Sequence, residues 1–140
     1  MDACSELADA ATRVAATATT PRRFLVDFGR AAAGVRRGPL WFLDAGTGGR
    51  NRYSGRGFRR HVDDGTDGQA RHFAGIVAVA ARVGTRLTLL LSITVGGDKS
   101  TSADGQLTDD ALEFTRLIRS GELAPADSGD WIRSRLCKVS

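Results

Sequence analysis

The stretch TDGQARHFAGIVAVAARV, residues 66–83, decides the fold. Thr66 and Gln69 stand three apart, the spacing of a capping box, in which the Thr hydroxyl accepts from a first-turn N–H and the Gln side chain reaches back. That pair predicts a helix start at Thr66. Behind it Phe73, Ile76, Val77, Val79, Ala80 and Val83 recur at helical spacing, and Ala70, Ala74, Gly75, Ala78 and Ala81 fill most of the remaining positions. A helix apolar on nearly all sides belongs at the centre of a protein, and its small residues let neighbouring elements come close. The stretch therefore predicts a mostly α fold, a single helical domain around a buried central helix at about 69–83.

The chain of 140 residues fits one domain, 1–140, able to bury a core without metals or disulfides as staples. Its net charge of +4 comes from 20 basic and 16 acidic residues, and Lys occurs only at Lys99 and Lys138. Arginine in place of lysine, with abundant Ala and Gly, marks a GC-rich bacterial coding sequence. The charge suits a soluble, basic protein with acidic partners, but it is far from the dense one-sided stripe of a dedicated nucleic-acid binder. The longest strongly apolar run, 87–95, is broken by Thr88, Ser92 and Thr94 and is too short to span a membrane. Residues 1–20 begin with Asp2 and Glu6, where a secretory signal needs positive charge. A cytoplasmic location is expected, with signal-less export as the alternative. Cys4 and Cys137 would close nearly the whole chain if bridged, but a reducing cytosol predicts two free thiols.

Residues 2–19 read as a helix with a weak stripe of Leu7, Ala10, Ala11, Val14 and Ala18. Such side chains bring little area at about 25 cal/mol per Å², which predicts a peripheral N-terminal helix over 1–20, outside a main body at 40–140. Phe24, Leu25, Val26 and Phe28 form a cluster at 23–28 that fits a short strand or the start of another helix. LWFL at 40–43 is an apolar knot. From Gly46 to His61 there are five glycines, five arginines and no acid, the composition of an irregular loop that Tyr53 and Phe58 would pin to the domain. The run 86–95 fits a strand by its Thr, Ile and Val content, and a helix by its helical neighbours, the reading preferred here. Residues 96–105 read as a polar loop. Thr108 caps the next helix, with Asp109 and Asp110 first and Arg116 and Arg119 last, matching the macrodipole, and Gly121 ends it. Pro125 opens a turn, and a short final helix carries Trp131, Ile132 and Leu136.

The segment HVDDGTDGQARH, 61–72, puts both histidines beside three aspartates. An imidazole oriented by a carboxylate is a general base near neutral pH, so His72 with Asp64 or Asp67 is the candidate catalytic group. The plainer reading makes the aspartates turn and cap residues and His72 a structural hydrogen-bonded residue. No metal is expected: the calcium-loop spacing fails at Gly65 and Ala74, and no cysteine completes a zinc set with His61 and His72. FLDAGTGG at 42–49 resembles a nucleotide-binding turn, but a broken basic loop follows where a helix is required. No cofactor is expected. The arginines of 46–60 suit phosphates chemically, but neighbouring aspartates would cancel much of their field. A nucleophile elbow is lacking.

YSGRGF at 53–58, DGTDGQARHF at 64–73 and GDWIRSRLC at 129–137 together resemble a loosely defined group of uncharacterised bacterial domains. These carry a Tyr/Gly-rich segment, an Asp-x-Gln-x-Arg-His-Phe helix start and a closing Asp-Trp-Ile-Arg. The resemblance implies that Asp64, Asp67, Gln69, Arg71, His72, Asp130, Trp131 and Arg133 share one neighbourhood; Gly68 departs from the group's usual Asn. Arg71, Gln69, Tyr53, Arg133 and Trp131 are the candidate substrate- or partner-binding residues. Two functions follow as expectations. The first is a small non-catalytic interaction or accessory module, with a protein partner favoured over nucleic acid. The second is a hydrolase-like or toxin-like enzyme using His72 with Asp64 or Asp67 on an anionic substrate.

Overall fold

The computed structural model describes residues 2–46, 49–88 and 102–139, and among these residues helices are linked by short turns and one long irregular segment. The Asp2 carboxylate caps α1 (Ala3–Ala15) by accepting from the Ser5 N–H at 2.8 Å. Thr20 caps α2 (Pro21–Ala33) in the same way, with Pro21 in the first turn, where its missing N–H costs nothing. The segment 23–28 is therefore helix, not strand, and the Thr-Pro pair before it and Gly34 after it are its start and stop signals. A short α3 (Trp41–Gly46) follows. The central α4 (Gln69–Val83), α5 (Ala103–Ser120) and α6 (Ser128–Leu136) complete the set.

The chain is one mostly helical domain, and no strand occurs among the described residues. α4 lies between α2 and α5, and α1 packs on α2 and α6. Small residues set the closest approaches. A Cβ added at Gly29 would stand 2.5 Å from the Ala78 Cβ, so α2 and α4 cross in near contact. Around that crossing Phe24, Phe28, Phe73 and Phe114 form the aromatic core, with Phe73 and Phe114 centroids 5.4 Å apart at a steep angle.

Two expectations are corrected at the amino terminus. α1 is not shallow: Cys4, Leu7, Ala8, Ala10 and Ala11 are all fully buried, because alanine's small size lets α1 lie close against its neighbours. Its first turn is also bonded to the end of the chain, since Cys4 and Cys137 form a disulfide with Cα atoms 5.6 Å apart, where free thiols are expected from a cytosolic reading. The long loop passes between the two termini. Arg59 N–H donates to Leu136 O at 2.7 Å, Lys138 N–H to Gly57 O at 2.8 Å, and Ala3 N–H to Arg56 O at 3.1 Å. Phe58 is buried there, and Tyr53 packs on the core while its hydroxyl accepts from Arg13 at 3.0 Å.

Two helix starts also move. α4 begins at Gln69 behind Gly68, not at Thr66, and the Gln69 amide donates to the Val62 carbonyl rather than closing a capping box. α5 begins five residues before Thr108: Ser102 is its cap, accepting from the Gly105 N–H at 3.0 Å. Residues 103–105 are thus helix rather than loop. After α4, residues 85–88 are helical, and the remainder of the run read as strand or helix at 86–95 lies outside the described residues. Among the described residues no helix is long and apolar enough to cross a membrane.

Candidate functional site

Moving the start of α5 to Ser102 brings Asp104 into its first turn and puts Thr108 one turn further, facing α4. His72, in the first turn of α4, holds the Thr108 hydroxyl at 2.9 Å through Nε2. Asp64 reaches the same place from the preceding loop. Its Oδ1 accepts from the Thr66 hydroxyl at 2.6 Å and the Thr66 N–H at 2.8 Å, and its carboxyl is hydrogen-bonded to Asp104. Two carboxyl groups, an imidazole and a hydroxyl converge here.

The two carboxyls are driven apart electrostatically. Burial raises Asp104; the His72 charge opposes this and the Asp64 charge adds to it, so the group stands above the ordinary carboxylate range. Burial also works to raise Asp64, but its hydrogen bonds from Thr66 and Asp104 outweigh burial and hold it below that range. The two neighbouring carboxyls are thus displaced in opposite directions. Asp104 Oδ1 is buried without a hydrogen-bond partner. Adjacent carboxyls whose environments push them in opposite directions are an acid–base arrangement in chemical terms.

The other sequence candidates lie elsewhere. Asp67 is exposed, and its backbone carbonyl accepts from Gly55 N–H at 3.2 Å and the Asn51 amide at 3.1 Å, so it does not join His72 through its carboxylate. His61 meets Asp110 on α5 at 3.3 Å. Arg71 lies back over Gly68, where an added Cβ would come within 3.2 Å of its Nη2. Arg133 pairs with Asp9 on α1. Trp131 packs on Phe114, with centroids 5.2 Å apart, under the Arg135 guanidinium. Of the residues that the resemblance gathers into one neighbourhood, Asp64 and His72 meet the first turns of α5, Trp131 packs on Phe114 of the same helix, and Arg133 pairs with α1.

A second constellation lies on the far end of the loop. Arg50 and Arg52 leave the loop and turn toward α2, where with Arg30, Arg36 and Arg37 they line an open cleft of about 530 Å³. Asp27 and Asp44 are the carboxylates in its wall. Asp44 clamps Arg36 through both oxygens, at 2.8 and 3.1 Å, and the Arg36 hydrogen bonds hold the Asp44 carboxyl down at about 2. Asp27 takes Arg37 at 2.7 Å. Arg30, Arg50 and Arg52 are exposed and make no ion pair or side-chain hydrogen bond among the described residues. Arg56, by contrast, is paired with Asp63 at 2.7 Å, the cancellation expected of the loop as a whole.

Arg37 also belongs to a second cleft of about 400 Å³ with Arg22, Arg23 and Arg82. Arg82 donates to the Ala78 and Arg36 carbonyls and lies 4.9 Å from the Trp41 ring centroid. Burial, with the Arg22 charge added, lowers it from its ordinary value. Compared with known proteins, the chain matches no family model, no curated protein and no solved structure.

Proposed function

We propose that this chain is a small non-catalytic interaction module that holds an anionic partner in the arginine cleft. One observation carries the reading: Arg30, Arg50 and Arg52 line a concave surface with no ion pair of their own among the described residues, Arg50 within the field of Asp44, while Arg36 and Arg37 beside them are held in place by Asp44 and Asp27. Fixed guanidiniums present planar, forked donors to carboxylate or phosphate at reduced entropic cost. Several other arginines are paired, Arg116 with Glu113 and Glu122 and Arg133 with Asp9. A net charge of +4 without one dense basic stripe favours a protein partner over a long nucleic acid. The Cys4–Cys137 bond favours action in oxidising surroundings, reached by export, over the cytoplasm. The test is a titration with poly-L-glutamate at low salt. Binding that weakens with added salt and is lost in Arg30→Ala/Arg52→Ala supports the module, and binding indifferent to both removes it.

The second reading, a hydrolase-like enzyme, is favoured by the oppositely displaced carboxyls of Asp64 and Asp104 beside His72. In that case Asp104 is the acid, Asp64 the base, and His72 supports the charge change. A screen of chromogenic ester and phosphodiester substrates tests it, since an activity abolished by Asp104→Asn and by His72→Ala would establish catalysis there.

A further inference from the structure

The short helix that gives Asp44 to the arginine cleft carries an exposed apolar shoulder. Asp44, which clamps Arg36 in the cleft wall, belongs to α3, and three large apolar side chains stand out from the same short segment. Leu40 is 46% exposed, Phe42 52% and Leu43 50%. Trp41, between them in sequence, is instead partly buried under Arg82, and the Phe42 ring meets it edge-on at 6.4 Å. Trp41 under Arg82 and Asp44 on Arg36 thus fix α3 against α4 and the turn after α2, while its large apolar side chains stand exposed. Scattered exposed leucines are ordinary, but three large apolar groups within four residues, beside unpaired guanidiniums, are an interface composition.

We infer that the occupant of this surface is an acidic amphipathic protein segment, its carboxylates on Arg30, Arg50 and Arg52 and its apolar side chains on Leu40, Phe42 and Leu43. The inference rests on the module reading and adds the partner's chemistry to it. Charge complementarity selects acidic side chains. The apolar shoulder selects protein over nucleic acid, because Leu40 and Leu43 offer no π face for stacking a base, whereas aromatic and arginine side chains around an apolar centre are the usual anchors of protein interfaces. Carboxylates alone would leave the shoulder in water. A segment with both characters covers both surfaces at once.

Three fluorescein-labelled probes test this by anisotropy on the whole chain: a peptide of Asp, Glu, Leu and Phe, the same peptide with its Leu and Phe replaced by Ser, and a thymidine oligonucleotide. The expected result is tightest binding of the first, roughly tenfold weaker after Phe42→Ser/Leu43→Ser, while the serine peptide is insensitive to that pair. Both substitutions are on the surface, and an unchanged circular dichroism spectrum confirms the fold. Equal affinity for the two peptides, or tighter binding of the oligonucleotide, overturns the amphipathic occupant while leaving the cleft as an anion site. No loss for any probe in Arg30→Ala/Arg52→Ala overturns the cleft itself, and the inference with it.

Discussion

Cys4 and Cys137 are bonded across 133 residues of sequence, joining the first turn of α1 to the end of α6. The loop at 56–59 is held between them by backbone hydrogen bonds, so one covalent bond fastens three remote pieces of chain. Cys4→Ala/Cys137→Ala is expected to cost on the order of 2–5 kcal/mol in a urea denaturation series, with the first proteolytic cuts falling in the loop. An unchanged midpoint would show that packing of α1 on α6 suffices without the bond.

Two glycines one helix apart should respond with opposite signs. At Gly29 an added methyl meets the Ala78 Cβ, and overpacking at a helix crossing costs about 1–3 kcal/mol. At Gly75 on α4 an added Cβ meets nothing within 4 Å, and the helical backbone suits alanine, so Gly75→Ala should stabilise by about 0.4–1 kcal/mol. Thermal melts of the two variants measure both.

The pH dependence of stability follows from the carboxyl pair. Asp104 has a raised value in the folded protein, so its favourable contribution is fully present below the unfolded carboxylate value and is lost as pH rises through the folded one. Asp64 is lowered, so its contribution is present above the unfolded value and lost as pH falls through the folded one. Asp104→Asn, which keeps a donor toward Asp64, should reduce the decline on the alkaline side to the part that Asp109, also raised, contributes and leave the acid limb in place. Melting temperatures of both proteins across the acid-to-neutral range report it.

Gln69 is buried and its amide satisfies the Val62 carbonyl. Gln69→Leu keeps the helix but leaves that carbonyl without a partner, at an expected cost of about 1–3 kcal/mol. Hydrogen exchange should localise the loosening to residues 60–69.

The central helix was legible because Phe73, Val77 and Ala80 recur at helical spacing whatever surrounds them, and Phe58 and Tyr53 because a basic loop has few other groups to bury. The buried α1 was not, since alanine hides its contribution: its value lies in how closely a neighbour approaches, which no local pattern records. Thr66 and Thr108 both have the chemistry of a cap, but tertiary contacts give the caps to Gly68 and Ser102 and turn Thr108 toward His72. Asp104 was missed for that reason. Taking Ser102 as the cap would have put Asp104 in the first turn and Thr108 on the face toward α4. The arginine cleft needs Arg50 and Arg52 brought across to α2, a pairing set by the Arg50 N–H on the Ala33 carbonyl and not by spacing along the chain.

The most direct measurement is a guanidinium-resolved NMR titration with the acidic amphipathic peptide. The account predicts that the Nε–Hε signals of Arg30, Arg50 and Arg52 shift together with the backbone of Phe42 and Leu43, while those of Arg116 and Arg133 stay fixed. Signals that stay fixed at the cleft, or that move instead around His72 and Asp104, would contradict it.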